Sequence, residues 1–592
     1  MSLDPDLEEE LALSKPTRRT VQRLWRFVRP YRWSLVAVMV IELGYVACTI
    51  AGPHLIRRVI DVSVPRRDTR EALLLAAVLL GCYLARWLLD FFEVRINIRA
   101  GQRILQDIRK SVFRHVQHLS MRYFDKTKAG RIISRADRDV DSMEHTLVHG
   151  PIILVNGFFL LVLSAASMLY YSWKLAALVA AILPALVVAS ELFRRRGIVA
   201  YRKVRESLTV LTSNLAETIS GVRVIQAFAR ERRNLDHFGG LAQRHADNVI
   251  KVAVIWNVYA PFVRLLNVAA AGMILLYGGW LVLNGEVEVG VIAAFVLYLG
   301  MFFGPIFEFS ALFNEMLHGT SAAERIFELL DQKADVCDRD GAQDLPRLSG
   351  RVRFEHVSFR YDTESAPWIL RDIDFEVSPG QMVAFVGPTG AGKSSIVNLL
   401  ARFYEPQTGR VLVDGLDIAA HTLHSLHAQM GVVLQENFLF TGTVMENLRY
   451  ARPEATNEEV IAMTQRLGAH DAIARLSKGY DTPVGERGAS LSQGERQLVC
   501  FARALLADPR IIVLDEATSA VDTATEEMLQ HSLLELVRDR TSFVIAHRLS
   551  TVRHAHRIFV IEGGVIVESG RHEELLARGG RYTAMVREYV RE

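Results

Sequence analysis

The sequence predicts a multi-domain protein. An all-α membrane domain of six helices with long cytoplasmic helical extensions precedes an α/β domain built around a phosphate loop. Three observations predict it. Apolar stretches long enough to cross a bilayer fill the first half and stop near residue 330. Arginine and lysine crowd into two long connections between those stretches. In the second half a compact apolar strand runs into a glycine-rich loop and then a helix, Met382 to Phe403.

Length and composition bound the answer. At about 100–200 residues per domain, 592 residues imply several units. Half the residues are hydrophobic and 23% are charged, which excludes a disordered chain. Cys48, Cys82, Cys337 and Cys500 lie too far apart for a metal-ligand motif or a secreted disulfide framework. A net charge of +3 gives no case for a nucleic-acid partner, and none is expected.

The apolar stretches run Trp33–Gly52, Ala72–Phe92, Ile152–Tyr171, Leu175–Phe193, Val252–Leu283 and Val287–Phe313. Each approaches the roughly 20 residues a helix needs to span the hydrocarbon core. The third carries no charge; the second carries Arg86 and Asp90. Before them, 1–32 reads as a cytoplasmic segment. It is acidic and then basic, with a helix suited to the membrane surface. Residues 33–320 form the six-span domain.

Basic residues set the orientation. There are seven in the first 32 residues, twelve in Glu93–Thr146 and twelve in Arg194–Lys251, against none in Asn284–Gly290. The N-terminus and both long connections are therefore predicted to be cytoplasmic. One loop objects, because Arg57, Arg58, Arg66, Arg67 and Arg70 fall outside. Asp61, Asp68 and Glu71 are at hand to accommodate them.

The long connections keep helical spacing over Arg95–Leu119 and Val204–Phe228, with Gly130 and Gly221 as punctuation. They read as helices continuing out of the membrane, with short transverse elements near Met121–Ala129 and Gly221–Phe228. Glu42, Arg86, Asp90, Arg264 and Glu308 fall in or beside the spans, where charges face a bundle interior or a wet cavity. Two readings stay open for them: structural pairing, as the i,i+4 spacing of Arg86 and Asp90 allows, or contact with a transported substrate. The series Phe295, Tyr298, Phe302, Phe303, Phe307, Phe309 and Phe313 reads as packing and lipid contact, and Gly304-Pro305 as a bend.

Residues 321–349 read as a linker, polar from Asp331 to Leu348, and 350–592 as the α/β domain. Asp414-Gly415 and Gly563-Gly564 mark hairpins. The segment Gly387, Pro388, Thr389, Gly390, Ala391, Gly392, Lys393, Ser394 fits the G-x-x-x-x-G-K-[ST] phosphate loop, with Ser395 opening the helix behind it. Glycines let backbone N–H groups approach phosphates, and the helix start adds positive potential. Lys393 adds charge, and the Ser394 hydroxyl suits Mg²⁺. Other short apolar strands end in Gln435, in Asp515-Glu516 and in His547, at the sheet edge where ligands bind. Ser492 and Glu495 form a capping box before the helical run Arg496–Leu506.

The phosphate loop, Gln435, Leu491-Ser492-Gln493-Gly494-Glu495, Asp515-Glu516, Ser519-Ala520-Val521-Asp522 and His547 stand in the order seen in ABC transporter ATPase domains. With the six-span domain ahead, the chain resembles an ABC exporter half-transporter. Thr482 to Gly488 resembles the segment that precedes the signature in exporters rather than importers. The resemblance implies ATP and Mg²⁺ as cofactors and a bacterial inner-membrane location. Tyr361 stacks on adenine, and Lys393 holds the phosphates. Ser394 and Gln435 bind Mg²⁺, with Asp515 acting through water. Glu516 is the general base, and His547 holds the γ-phosphate. Ser492 and Gly494 reach the ATP of the other subunit, and Asp522 contacts the partner.

The implied function is ATP-driven export or flipping of amphipathic molecules or lipids, by alternating access, in a dimer of half-transporters. The signature departs from the family's usual Leu-Ser-Gly-Gly-Gln. Beside an intact Glu516, that departure resembles the competent chain of a heterodimer whose partner is degenerate. A homodimer is placed first and the heterodimer is the alternative. A third reading is an ATP-gated channel or regulatory ATPase that does not pump.

Overall fold

A computed structural model describes residues 18–361, 367–515, 523–546 and 549–589. The chain divides into two compact units, Met1–Gln117 with Ala129–Gln332, and His118–Lys128 with Lys333–Glu592.

The described residues of the first unit form helices and their connections, with no strand. Among the described residues, six helical segments are long and apolar enough to cross a membrane: Arg19–Ser63, Thr69–Gln117, Ala129–Tyr171, Trp173–Ser220, Glu231–Leu283 and Val289–Ile306. Each contains one of the six predicted stretches or the bulk of it. Continuous helices of 49 residues at Thr69–Gln117 and 53 at Glu231–Leu283 carry the spans far beyond a bilayer's thickness. The last helix, Val289–Asp331, stays one helix through Pro305 and through the first part of 321–349. Of the aromatic series on it, Phe295, Tyr298, Phe302 and Phe303 are buried in the bundle core, so these four pack inward. The ring of Phe309 lies over Gly157, where a Cβ would approach it to 2.6 Å.

Two of the five objecting arginines have ion-pair partners among the described residues. Arg57 pairs with Asp61 at 3.2 Å and with Glu288 at 2.9 Å, and Arg58 pairs with Glu71 at 3.2 Å. Asp68 accepts the N–H groups of Arg70 and Glu71. Glu288, from the connection before the last helix, was not foreseen in this role. Arg86 and Asp90 form no ion pair among the described residues. The Arg86 guanidinium lies over the rings of Tyr45, at 4.9 Å, and Tyr83, at 5.8 Å, because an aromatic face is a better-placed partner than a carboxylate one turn along its own helix. The helix Arg18–Val28 packs on the far end of the last helix, with Arg23 bonded to Asp331 at 2.6 Å and lying over Phe327.

The second unit holds two sheets. A six-stranded sheet has the order β10-β9-β3-β8-β7-β6, where β3 is Met382–Val386, β6 Met430–Val433, β7 Ile511–Asp515, β8 Thr541–Ile545, β9 Arg557–Glu562 and β10 Val565–Gly570. All pairings are parallel except β9 with β10. A four-stranded antiparallel sheet orders β2-β1-β4-β5, with β1 Val352–Phe359, β2 Leu370–Val377, β4 Thr408–Val413 and β5 Leu416–Asp417. Strands β3 and β8 are buried on both faces, as parallel strands covered on both sides must be. Both hairpins turn at the expected pairs, and all four turn residues have positive φ, the geometry of a tight two-residue turn.

Candidate functional site

The parallel strands β3, β8, β7 and β6 bring their carboxyl ends to one edge of the sheet. The phosphate loop leaves β3 there. Gly387, Gly390 and Gly392 have φ of 155°, 81° and 103°. At Gly387 backbone also blocks any side chain, and at Gly392 a side-chain tip would have to move. A Cβ on Gly387 would sit 2.2 Å from the Ile561 carbonyl oxygen, and one on Gly392 would sit 2.7 Å from Leu370. The backbone can take this path only without side chains. Pro388, Thr389 and Ala391 fill the turn between the glycines, and the helix Lys393–Leu400 starts directly behind it.

Lys393 is buried, and its Nζ donates to the carbonyls of Gly387 at 2.8 Å and Pro388 at 3.0 Å. The ammonium is thus folded back over the loop. Burial lowers its pKa, and the Asp515 carboxylate works in the opposite direction. Ser394 is exposed at the loop, whereas Ser395 is buried and its Oγ is bonded to the Tyr361 hydroxyl at 3.0 Å.

Asp515 ends β7, two strands from β3, and Gln435 follows β6 next to it. Both line a cleft with Asn437 and Gln497. The Oδ1 of Asn437 and the Oε1 of Gln497 are buried there with no hydrogen-bond partner among the described residues. Orphaned oxygens beside a carboxylate, an amide and a nearby serine hydroxyl are hard donors that suit a hydrated Mg²⁺. The residues present therefore fit the ion. Asn447, not foreseen from the sequence, shapes the loop after Gln435. Its side chain accepts from the Phe440 N–H and donates to the Phe440 carbonyl, both at 2.8 Å.

Tyr361 is half-buried, edge-on to Phe359 at 4.8 Å and to Tyr404 at 4.9 Å. Its hydroxyl also receives the Asn398 amide at 3.3 Å, so the phosphate-loop helix fixes the ring. Tyr404 in turn donates to Asp125. Asp125 lies in the short helix Met121–Lys126, inside the membrane-half segment that clusters with this unit. Arg122 pairs with Asp335 at 3.4 Å in the same place. No sequence spacing signals these contacts, since the partners are separated by more than 200 residues.

The capping box is present. Ser492 Oγ accepts from the Glu495 N–H at 3.3 Å, and Glu495 Oε2 accepts from the Ser492 N–H at 2.7 Å. Gly494 is buried in the first turn. Arg496 fastens the preceding segment by donating to the carbonyls of Gly488, at 3.2 Å, and Leu491. The helix Gln493–Leu506 packs on β6 and on the helices Val444–Arg449, Asn457–Leu467 and Thr523–Val537. Strand β6 is three strand spacings from β3, about 14 Å. The sheet thus gathers the phosphate loop, Asp515 and Gln435, while Ser492 and Gly494 belong to its far side. Glu516, Asp522 and His547 lie outside the described residues.

Two family models match the chain. The ABC transporter transmembrane region covers residues 35–306, and the ABC transporter model covers 370–519. An uncharacterized ABC transporter ATP-binding protein of Bacillus subtilis is 37% identical over 95% of this chain and 94% of its own length. An ATP-dependent lipid A-core flippase of Syntrophus aciditrophicus is 34% identical over 95% of this chain and 93% of its own. A putative multidrug export ATP-binding/permease protein of Staphylococcus aureus is 34% identical over 95% of this chain and 98% of its own. Among solved structures, a bacterial Atm1-family ABC exporter with ATP bound superposes with a TM-score of 0.79 at 30% identity, covering 94% of this chain and 98% of that one.

Proposed function

Since this chain belongs to the ABC transporter family, as a membrane region fused to an ATPase domain whose ATP hydrolysis is coupled to transport, we propose that it exports or flips amphipathic small molecules or lipids as a dimer of half-transporters. One observation carries the dimer. The signature serine caps the helix that packs on β6, three strands across the sheet from β3, and among the described residues no hydrogen bond links Ser492 to the phosphate loop. A nucleotide held by one loop is closed over by the signature of another chain.

Within each site, Lys393 and the loop amides hold the phosphates and Tyr361 stacks on the base. Ser394 and Gln435 would hold Mg²⁺, with Asp515 acting through water, and the ion would supply neutralisation of phosphate charge. Glu516 takes a proton from the attacking water, and His547 holds the γ-phosphate. Ser492 and Gly494 reach the partner's nucleotide, and Asp522 meets the partner. Coupling runs through Tyr361, Tyr404 and Asp125 into the helix Met121–Lys126. The balance of basic residues favours an N-terminus and ATPase unit on the cytoplasmic side, in a bacterial inner membrane. Support for the cargo class comes from relatives described as a lipid A-core flippase and a multidrug exporter.

The test is transport of a labelled phospholipid and of a cationic dye in proteoliposomes with ATP outside. Accumulation or flipping that needs ATP supports the reading. Hydrolysis without movement of either overturns it in favour of a non-pumping ATPase. A homodimer is the simpler assembly because this chain carries every part of the site. Copurification with a second, non-identical half-transporter would replace it.

A further inference from the structure

We propose that the surface helix ahead of the first span binds an anionic phospholipid, with Arg26, Arg29 and Arg32 on its headgroup, and that the bound lipid braces the end of the last helix. The helix Arg18–Val28 runs through a short turn, Arg29–Tyr31, into the span helix Arg32–Arg58. The segment therefore lies where the chain enters the bilayer.

Its residues sort onto three faces. Thr20 and Leu24 are buried, and Phe27 stacks on Phe327 of the last helix at 6.5 Å. Thr20 donates to Glu324 at 3.3 Å, and Arg23 bonds Asp331 at 2.6 Å while lying over Phe327. That face is bolted to the last helix. Val21 and Trp25, four residues apart, are each 54% exposed and form an apolar strip suited to acyl chains. Arg26, Arg29 and Arg32 follow one another at three-residue spacing, which keeps neighbours on one side of a helical backbone. All three are exposed and have no carboxylate partner among the described residues.

The acids that face this segment are engaged elsewhere. Glu324 and Asp331 hold Thr20 and Arg23, and Asp107 accepts the Tyr31 hydroxyl at 2.8 Å. Arg32 lies over the ring of exposed Trp33 at 5.6 Å, and tryptophan beside arginine is the composition of the headgroup level. A guanidinium pairs with phosphate oxygens through two parallel N–H bonds. Each basic residue near the surface adds attraction to an anionic lipid, whereas a zwitterionic headgroup has no net charge to offer. A nucleic acid would leave Val21 and Trp25 facing water, and a lipid covers them. The same helix grips Glu324, Phe327 and Asp331, just before the chain passes to the second unit at Lys333. Holding the surface helix thus holds that end of the last helix.

The site stands whatever the cargo is, and its failure would leave the export reading untouched. The first measurement is an equilibrium titration of the detergent-solubilised full chain with phosphatidylglycerol and with phosphatidylcholine. The wild type should bind phosphatidylglycerol at least about tenfold more tightly, in keeping with three basic residues at the surface. Arg26→Gln, Arg29→Gln and Arg32→Gln combined should erase that preference, while Arg26→Lys, Arg29→Lys and Arg32→Lys combined keep the charge and should retain most of it. Equal affinity of the wild type for the two lipids, or a glutamine variant that keeps the preference, overturns the site. If the glutamine variant does not fold, the wild-type preference must weaken as salt is raised, and a salt-independent preference overturns the site. The second measurement is hydrogen exchange of the full chain in nanodiscs with and without phosphatidylglycerol. Residues 324–331 should exchange more slowly with the anionic lipid present. Asp331→Ala should keep the lipid preference and lose that protection. Exchange in 324–331 that is unmoved by the lipid overturns the brace.

Discussion

Lys393, Gly387 and Asp414 show how differently single residues announce their roles. Lys393 is legible from its motif, and Lys393→Ala is expected to weaken nucleotide binding at least about tenfold, roughly 1.4 kcal/mol, in an equilibrium titration. Unchanged affinity would remove it from the phosphates. Gly387 is legible as a loop glycine, but only the fold shows that a Cβ would strike the Ile561 carbonyl. Gly387→Ala should therefore destabilise the ATPase unit by about 1–3 kcal/mol, read as an earlier unfolding transition. Asp414 is legible as a turn residue. Its second task appears only in the fold, where it accepts the Ser349 hydroxyl and the N–H groups of Ser349, Gly350 and Arg351. Burial acts to raise its pKa, but those hydrogen bonds outweigh burial and hold the carboxyl below its ordinary value. A depressed carboxylate stabilises the fold above its ordinary pKa and loses that contribution as pH falls through its folded pKa. Asp414→Asn should thus lower the thermal midpoint at neutral pH, with the gap to wild type closing in acid. A gap independent of pH would refute this account.

At the scale of elements, local chemistry and distant contact separate cleanly. The capping box at Ser492, the hairpins at Asp414-Gly415 and Gly563-Gly564 and the strand Met382–Val386 were all predictable because each is fixed by neighbours a few residues away. The helix Met121–Lys126 was expected as a short transverse element, yet its attachment to the ATPase unit through Tyr404–Asp125 and Arg122–Asp335 was not. If that attachment carries the signal, Tyr404→Phe should leave ATP affinity near wild type and reduce transport per ATP hydrolysed several-fold. Equal losses in hydrolysis and transport would mean that the hydroxyl serves stability alone. The arginines after the first span teach the same lesson. Asp61 and Glu71 could be read as partners from proximity, whereas Glu288, reached across more than 200 residues, could not.

For the whole molecule, the proposed dimer makes the nucleotide the bond between two chains. Glu516→Gln is expected to bind Mg-ATP, hydrolyse almost none of it and accumulate as closed dimers in detergent or nanodiscs. Near-normal turnover would remove Glu516 from its role, and a chain that stays monomeric with saturating Mg-ATP would remove the dimer. The sequence by itself determined the six spans, the order of the two halves and the phosphate loop, because hydrophobic length, charge placement and glycine spacing act locally. Only the tertiary structure decided that Arg86 turns to tyrosines rather than to Asp90 and that Asn447 braces the loop after Gln435. Those outcomes depend on which helix or strand lies alongside, and packing partners distant in the chain leave no periodic trace in it.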